Sequence, residues 1–202
     1  MTEYQVHYPD FNVMDEEKHW DSHTQEIVGK RIQTQSFYPL QYLTKQEANT
    51  LTQLCSILLD DDRDSVIAFV VHHFDSTLQA SIGESQRKVG VPKQSVLIRD
   101  GLALLDQVCK KQYGSLFDLL TDGTKKDVVS DLLQEKIHLK SNLKTIPVKD
   151  FMEKITSETT AAYYSHPTIW SEIGYAGPAY PRGYVRSELG LTDPWEAKKN
   201  DQ

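Results

Sequence analysis

The 202-residue sequence lacks the residues with which a chain usually holds a redox centre. Cys55 and Cys109 are its only cysteines and no CxxCH motif occurs, so cysteine ligation of a haem or an iron–sulfur cluster is excluded. Neither a GxGxxG fingerprint nor a P-loop is present, and no GxSxG motif marks a nucleophilic serine. The sequence therefore predicts a chain without a cofactor site or a metal site of its own.

Positive charge and long apolar runs are also scarce. The net charge of −7 argues against binding to nucleic acid, whose phosphates would be repelled. No apolar run approaches the roughly 20 residues of a membrane span. The N-terminal sequence shows neither a signal peptide nor a twin-arginine motif. We therefore expect a cytoplasmic location for the sequence as written, and the sequence leaves open export or peripheral membrane association through a partner.

What the sequence does contain is helical spacing of apolar residues, with little sign of strands. Thr44 and Glu47 form a T-x-x-E capping box, and the acidic run Asp60-Asp61-Asp62 ends the helix that begins there. Four further helices are predicted at about residues 65–82, 94–113, 125–135 and 147–164. The sequence thus predicts an all-α fold, a compact bundle of about five helices.

Two regions flank the predicted bundle. We expect an extended N-terminal arm at residues 1–43, in which 21–32 is a candidate short helix. The helical core is expected at 44–164, followed by an irregular C-terminal arm at 165–202 that is rich in proline, glycine and aromatic residues. The three parts are predicted to belong to a single domain.

The stretch from Tyr163 to Trp195 has the most unusual composition in the chain. It holds seven of the nineteen aromatic residues, four of the eight prolines and four of the ten glycines. So much proline and glycine is incompatible with one continuous helix, and disordered segments are poor in aromatics. We therefore expect an ordered, irregular segment whose aromatic side chains are buried against this protein's own helices or against another protein.

Three interpretations of this stretch remain open from its residue types. The first is a hydrolase or lyase site with His166 or Glu172 as the base and Arg182 as an anion clamp. The second is a protein interface, and the third is a structural element. Tyrosine, tryptophan and arginine are the types enriched at interface hot spots. The residues on which the choice depends are His166, Trp170, Glu172, Tyr175, Tyr180, Arg182 and Tyr184.

Other clusters of potential ligands are better explained without a ligand. His19 and His23 have a chelating spacing if the segment is helical, but no further ligands accompany them. The acidic run at 60–64 lacks the spacing of a calcium loop and is expected to be solvated surface. Cys55 and Cys109 lie on apolar helical faces, which is typical of buried thiols.

Several motifs together resemble the gluconate 2-dehydrogenase subunit 3 family. The resemblance covers most of the chain and is strongest in its C-terminal part. The motifs are SHPTIWSEIGYAGP at 165–178, Tyr180-Pro181-Arg182-Gly183-Tyr184, Asp193-Pro194-Trp195-Glu196, the N-terminal Tyr8-Pro9-x-Phe11-x-Val13, Phe37-Tyr38 and Leu54-Cys55.

This resemblance implies a small, non-catalytic accessory subunit of an FAD-dependent dehydrogenase for sugars, sugar acids or polyols. The FAD and the catalytic residues are then expected in a large flavoprotein of the glucose–methanol–choline (GMC) type, which the small subunit stabilises. A cytochrome c subunit often accepts the electrons. Family members with a twin-arginine signal are thought to escort the flavoprotein across the membrane; this sequence lacks that signal.

On these grounds we expect the aromatic stretch to bind the flavoprotein. The alternatives are a stand-alone helical enzyme that uses His166, Glu172 and Arg182, or a chaperone that leaves once the flavoprotein has folded. The predicted partner-binding residues are Tyr164, His166, Trp170, Tyr175, Tyr180, Arg182, Tyr184 and Trp195.

Overall fold

The computed structural model describes residues 7–33, 39–80, 88–141, 143–186 and 191–198, and in these ranges the fold is all-α, as predicted. The only β-type pairing in them is an isolated antiparallel bridge from Lys140 to Thr145. The α-helices are α1 (Ser22–Gln33), α2 (Lys45–Leu59), α3 (Asp64–Gln79), α4 (Gln94–Tyr113), α5 (Asp122–Leu133), α6 (Val148–Tyr163) and α7 (Pro167–Ile173). Short 3₁₀ helices occupy Val13–His19 and Phe117–Leu119.

The chain forms two compact units. Residues 36–162 make up the helical unit, which contains α2 to α5 and nearly all of α6. Residues 1–35 and 163–202 make up the terminal unit, which contains α1 and α7 and thus brings the two ends of the sequence into one body. Phe37 and Tyr38, which contributed to the family resemblance, lie outside the described residues. Among the described residues, the helices lack an apolar stretch of the length that a bilayer requires.

The ends of the helices in the helical unit follow from local sequence signals. The predicted capping box is present at α2: the Thr44 hydroxyl accepts from the Glu47 amide at 3.3 Å, and the Glu47 carboxylate accepts from the Thr44 amide at 2.7 Å. Gly114 ends α4 in the left-handed conformation at φ 77°, directly after the last residue of the predicted range 94–113. α5 begins three residues earlier than predicted, because the Thr121 side chain caps it by accepting from the Thr124 amide at 3.4 Å.

The core of the helical unit consists of the apolar faces of these helices. α3 packs against α2 and α4, and its residues 66–71 are buried apart from a partly exposed Ala68. α4 and α6 approach closely at Gly101, where a Cβ atom would lie only 2.4 Å from the Phe151 ring. The fully buried side chains of this core include Leu51, Leu54, Phe74, Ile98, Leu105 and Phe151.

Three carboxylates in the helical unit are buried and hydrogen-bonded, those of Asp61, Asp75 and Asp106, and the first two hold short segments of backbone. Asp75 on α3 is fully buried and accepts from the backbone amides of residues 41, 42 and 43 at 2.7, 3.0 and 2.7 Å. Asp61 is 2% exposed, so the expectation of a solvated acidic run is wrong at this position. The reason is Arg63, whose guanidinium donates to both Asp61 oxygens, the shortest bond measuring 2.6 Å.

Both cysteines are fully buried free thiols, which confirms their predicted burial. The Cys55 sulfur lies 3.2 Å from the Thr159 hydroxyl. Burial raises the pKa of each thiol, Cys55 and Cys109, to about 12. Neither sulfur is therefore a reactive thiolate near neutral pH.

The terminal unit has a small core of its own. Its buried apolar residues are Val13 in the 3₁₀ helix, Trp20, Val28 on α1 and Trp170 on α7. Phe11, Met14 and Tyr175 are partly buried and pack against this cluster. The core thus combines residues from both ends of the chain.

Candidate partner-binding surface

Helix α7 lies inside the stretch predicted to be irregular. His166 caps it in an extended conformation, and its Nδ1 atom accepts from the Thr168 amide at 3.2 Å. Pro167 occupies the first turn, where its missing N–H costs nothing, and Gly174 ends the helix at φ 76°. The proline and the glycine that suggested irregular chain therefore mark the two ends of a seven-residue helix.

Trp170 on α7 is part of the folded terminal unit. Its side chain is 4% exposed, and its indole N–H donates to the Tyr164 carbonyl at 2.6 Å. The Tyr175 ring meets it edge to face at a centroid distance of 5.5 Å, and the Arg31 guanidinium lies 5.5 Å from its ring centroid. These contacts give Trp170 a structural role in its own unit.

Hydrogen bonds connect residues near both ends of the chain to α7. The Ser171 hydroxyl accepts from the Val13 amide at 3.0 Å, and the Glu172 carbonyl accepts from the His7 amide at 3.2 Å. From the other end, the Ala197 amide donates to the Gly174 carbonyl at 3.1 Å. The short helix α7 is thus held in place by both chain ends.

Glycine is required at two positions where the backbone lies against an aromatic ring. Gly174 has φ 76°, and a Cβ there would lie 2.6 Å from the Tyr8 ring. Gly177 has φ 79°, and a Cβ there would lie 2.6 Å from the Trp20 ring. An L side chain at either position is opposed both by the backbone conformation and by an aromatic neighbour.

Arg182 is tied to the protein's own backbone and to Trp195. Its Nη2 atom donates to the carbonyls of Ala176 and Gly177 at 2.6 and 3.2 Å. Its guanidinium carbon lies 4.8 Å from the Trp195 ring centroid, an arrangement typical of a cation–π contact. Partial removal from water lowers the pKa of Arg182.

Residues 179–186, which we call the aromatic loop, are anchored by a residue that our sequence reasoning did not single out as a site. Asp193 is 4% exposed, and its Oδ1 atom accepts from the amides of Val185 and Arg186 at 2.9 and 2.8 Å. Its own amide donates to the Glu196 carboxylate at 3.0 Å. The spacing of Asp193 and Glu196 in the DPWE motif resembles that of a capping box and is the signal for such a turn.

The structure divides the predicted partner-binding residues into two groups. His166 and Trp170 are buried, and Tyr175, Arg182 and Trp195 are partly buried. In contrast, Tyr164, Tyr180 and Tyr184 expose 53%, 70% and 74% of their surface. Two further apolar residues that the sequence analysis did not name, Val185 and Leu191, are 63% and 49% exposed. Binding of a partner stays a prediction, but only the exposed group presents side chains to one directly.

The residues of the enzymatic alternative have different surroundings. Glu172 lines a groove of about 300 Å³ in the terminal unit, beside Ser171 and Tyr8. Among the described residues, the lining of this groove includes neither His166 nor Arg182. His166 caps α7, and Arg182 binds two carbonyls. The three side chains therefore do not share this groove.

His19, which was considered as a metal ligand, and His73 both lie close to a carboxylate. The His19 Nε2 atom lies 3.5 Å from the Glu16 carboxylate, and its ring centroid lies 6.5 Å from that of Trp195. On α3, the His73 Nε2 atom lies 3.5 Å from the Glu158 carboxylate. Within the described part of the chain, no group of three or more histidine, cysteine or acidic residues has an arrangement that would hold a metal ion.

A comparison with protein families identifies one related group. The sequence profile described as gluconate 2-dehydrogenase subunit 3 matches residues 45–177, which is more than half of the chain. This range begins at α2 and ends at Gly177, before the aromatic loop. Searches of curated proteins and of solved structures find no match.

Proposed function

Because the chain belongs to the gluconate 2-dehydrogenase subunit 3 family, we propose that it is the accessory subunit of an FAD-dependent sugar, sugar-acid or polyol dehydrogenase. In this proposal a GMC-type flavoprotein carries the FAD and performs the oxidation. This chain binds the flavoprotein and stabilises it without taking part in the chemistry. A cytochrome c subunit is a further candidate partner, as the electron acceptor.

The observation that supports binding is the set of exposed tyrosines in the terminal unit. Tyr164, Tyr180 and Tyr184 each expose more than half of their surface, whereas Trp170 in the same stretch is buried. Tyrosine provides a large contact area at a low cost in side-chain entropy and is enriched in protein interfaces. The exposed tyrosines therefore favour the interface interpretation over a purely structural one for this group.

The contacts of the candidate catalytic residues support a non-catalytic role. A general base must reach the proton that it removes, and His166 is only 3% exposed, with Nδ1 occupied by the Thr168 amide. An anion clamp needs guanidinium donors that a ligand can reach, but Arg182 Nη2 donates to two carbonyls, and its Nε and Nη1 atoms are buried. We accordingly assign these two side chains to holding the terminal unit.

The proposal is tested by producing this chain with and without the GMC-type flavoprotein encoded nearest to its gene. We expect the two chains to copurify in a fixed ratio, with the FAD bound to the flavoprotein. Without this chain, the yield, the FAD content and the melting temperature of the flavoprotein should fall. Oxidation of sugars by the isolated chain with an artificial electron acceptor would contradict the proposal.

The same experiment separates a subunit from a dissociating chaperone. A subunit remains in the active complex after size-exclusion chromatography, and its removal lowers dehydrogenase activity. A chaperone raises the yield of folded flavoprotein but elutes apart from it, and the purified flavoprotein then keeps full activity alone. We expect the first pattern.

A further inference from the structure

The aromatic loop has exposed apolar side chains, and its backbone donates hydrogen bonds to a buried residue of the terminal unit. Tyr180, Tyr184 and Val185 are 70%, 74% and 63% exposed, and Leu191 nearby in sequence is 49% exposed. Several exposed large apolar residues within one short segment are typical of a binding surface. We call these four residues the loop surface.

Two hydrogen bonds from the loop backbone converge on one buried carboxylate. The Asp193 Oδ1 atom accepts from two consecutive amides, those of Val185 and Arg186, at 2.9 and 2.8 Å. A charged acceptor makes such bonds stronger than bonds between neutral groups. Asp193 is itself fixed, since its amide donates to Glu196 at 3.0 Å and its side chain is 4% exposed.

We propose that Asp193 is the positioning residue of a flavoprotein-binding surface made by the loop surface. This inference rests on the proposed function and adds to it both the contact surface and the residue that organises it. Asp193 is buried, so it acts through the loop backbone, which it holds in the shape that the partner recognises. Fixing a loop before binding raises affinity because less conformational entropy is lost on association.

The charge of the loop defines the chemistry of the partner site. The whole chain carries a net charge of −7, yet residues 179–186 contain two arginines and no acidic residue. Of the two, Arg182 is bound to carbonyls of its own unit, whereas Arg186 is exposed and follows Val185 in the sequence. The carboxylate of Asp193 is buried and accepts from two amides. The complementary site on the flavoprotein is therefore an apolar surface with an acidic rim.

The experiment measures the dissociation constant of the purified chain and the flavoprotein for three variants. Asp193→Ala should weaken binding at least tenfold, because both amides lose their acceptor. Asp193→Asn should weaken it less, because the amide oxygen still accepts from both. Asp10→Ala, which removes an exposed carboxylate from the same unit, should bind like the unaltered chain. Equal binding by Asp193→Ala and the unaltered chain overturns the inference.

A double-mutant cycle with Tyr184→Ala distinguishes positioning from general damage. If Asp193 acts by placing Tyr184 and its neighbours, the two losses overlap, and the double variant binds more tightly than the product of the two fold-changes predicts. Fold-changes that multiply in full overturn the positioning role.

The Arg186→Glu variant tests the acidic rim of the partner site. Its binding should weaken at least fivefold, and an unchanged dissociation constant overturns that part of the inference.

Hydrogen exchange of the free chain provides a readout that does not depend on the partner. The Val185 and Arg186 amides should exchange slowly in the unaltered chain and fast in Asp193→Ala, while the Trp170 indole stays protected. If Asp193→Ala fails to fold, the same measurements are made on Asp193→Asn, and partial effects are expected.

Failure of the unaltered chain to bind any GMC-type flavoprotein contradicts the proposed function. Normal binding that is insensitive to Asp193 contradicts only this inference.

Discussion

The helical unit and the terminal unit are stabilised by different kinds of contact. In the helical unit, helices of 12 to 20 residues bury continuous apolar faces. In the terminal unit, α7 has seven residues, and a helix of that length is not stable alone. It depends on an aromatic cluster and on hydrogen bonds from both chain ends. Aromatic residues close in sequence therefore differ in their surroundings: Trp170 is buried and holds this small unit, whereas Tyr180 and Tyr184 are exposed.

Removing the central aromatic side chain of the terminal unit should have the largest effect. Trp170→Ala leaves a large cavity beside Tyr175 and removes the indole hydrogen bond, so we expect a loss of about 3–5 kcal/mol in the stability of this unit. The measurement is denaturant unfolding followed by hydrogen exchange. Tyr180→Ala is the matched control and should change stability little, since Tyr180 is 70% exposed. Retained stability in Trp170→Ala with loss of flavoprotein binding would make Trp170 a direct contact instead.

Replacing Asp75 tests whether buried hydrogen bonds also stabilise the helical unit. Asp75→Ala leaves three backbone amides without their acceptor, which we expect to cost about 2–3 kcal/mol. Chemical denaturation gives the change, with Asp127→Ala on the exposed side of α5 as the control. A change no larger than that of the control would mean that the hydrogen bonds from residues 41–43 to Asp75 do not stabilise the fold.

Replacement and chemical labelling of Cys55 test the apolar packing of the same unit. Cys55→Ser places a hydroxyl where the sulfur is fully buried, and we expect a loss of about 1–2 kcal/mol. Because the pKa of Cys55 is raised to about 12, a thiol reagent at neutral pH should label it slowly in the native protein and fast after denaturation. Fast native labelling would contradict the burial of this side chain.

The smallest effect is expected at an ion cluster on α3 and α6. His73 and then Lys154 lower the pKa of Glu158 from 4.5 to about 2. A carboxylate with a lowered pKa stabilises the fold above its unfolded value of 4.5, and this contribution is lost as the pH falls towards 2. Glu158→Gln should cost about 1 kcal/mol at pH 7, since the site is partly exposed.

The pH dependence of the Glu158→Gln variant provides the check. Its difference in stability from the unaltered chain should shrink as the pH is lowered from 5 to 2. Glu26→Gln, which breaks an exposed ion pair with Lys30, is the control with a smaller effect. A difference that does not change across this range would show that the charge of Glu158 does not stabilise the fold.

The helical unit was predictable because its signals are local. The Thr44–Glu47 capping box, Gly114 and the spacing of apolar residues each act within a few residues along the chain. The burial of Asp61 was missed because pairing with Arg63 depends on how the turn folds. Aspartate is mostly exposed unless it is paired, so the sequence alone favours a solvated acid at that position.

The terminal unit was less predictable because its decisive contacts are remote in sequence. Ser171 and Val13 are 158 positions apart, and no periodicity links them. Helix α7 carried readable signals in Pro167 and Gly174, yet proline and glycine equally suggest irregular chain. Composition identified the aromatic residues but not their exposure, which depends on the packing of both chain ends around Trp170.

In the proposed function, the exposed tyrosines of the aromatic loop bind a flavoprotein, whereas the buried aromatics hold the terminal unit. The most direct test is the affinity of Tyr184→Ala for the flavoprotein, measured together with its melting temperature. We predict binding weaker by about 2 kcal/mol, roughly 30-fold, with an unchanged melting temperature. Unchanged affinity, or a loss of affinity that follows from unfolding of the free chain, would contradict the account.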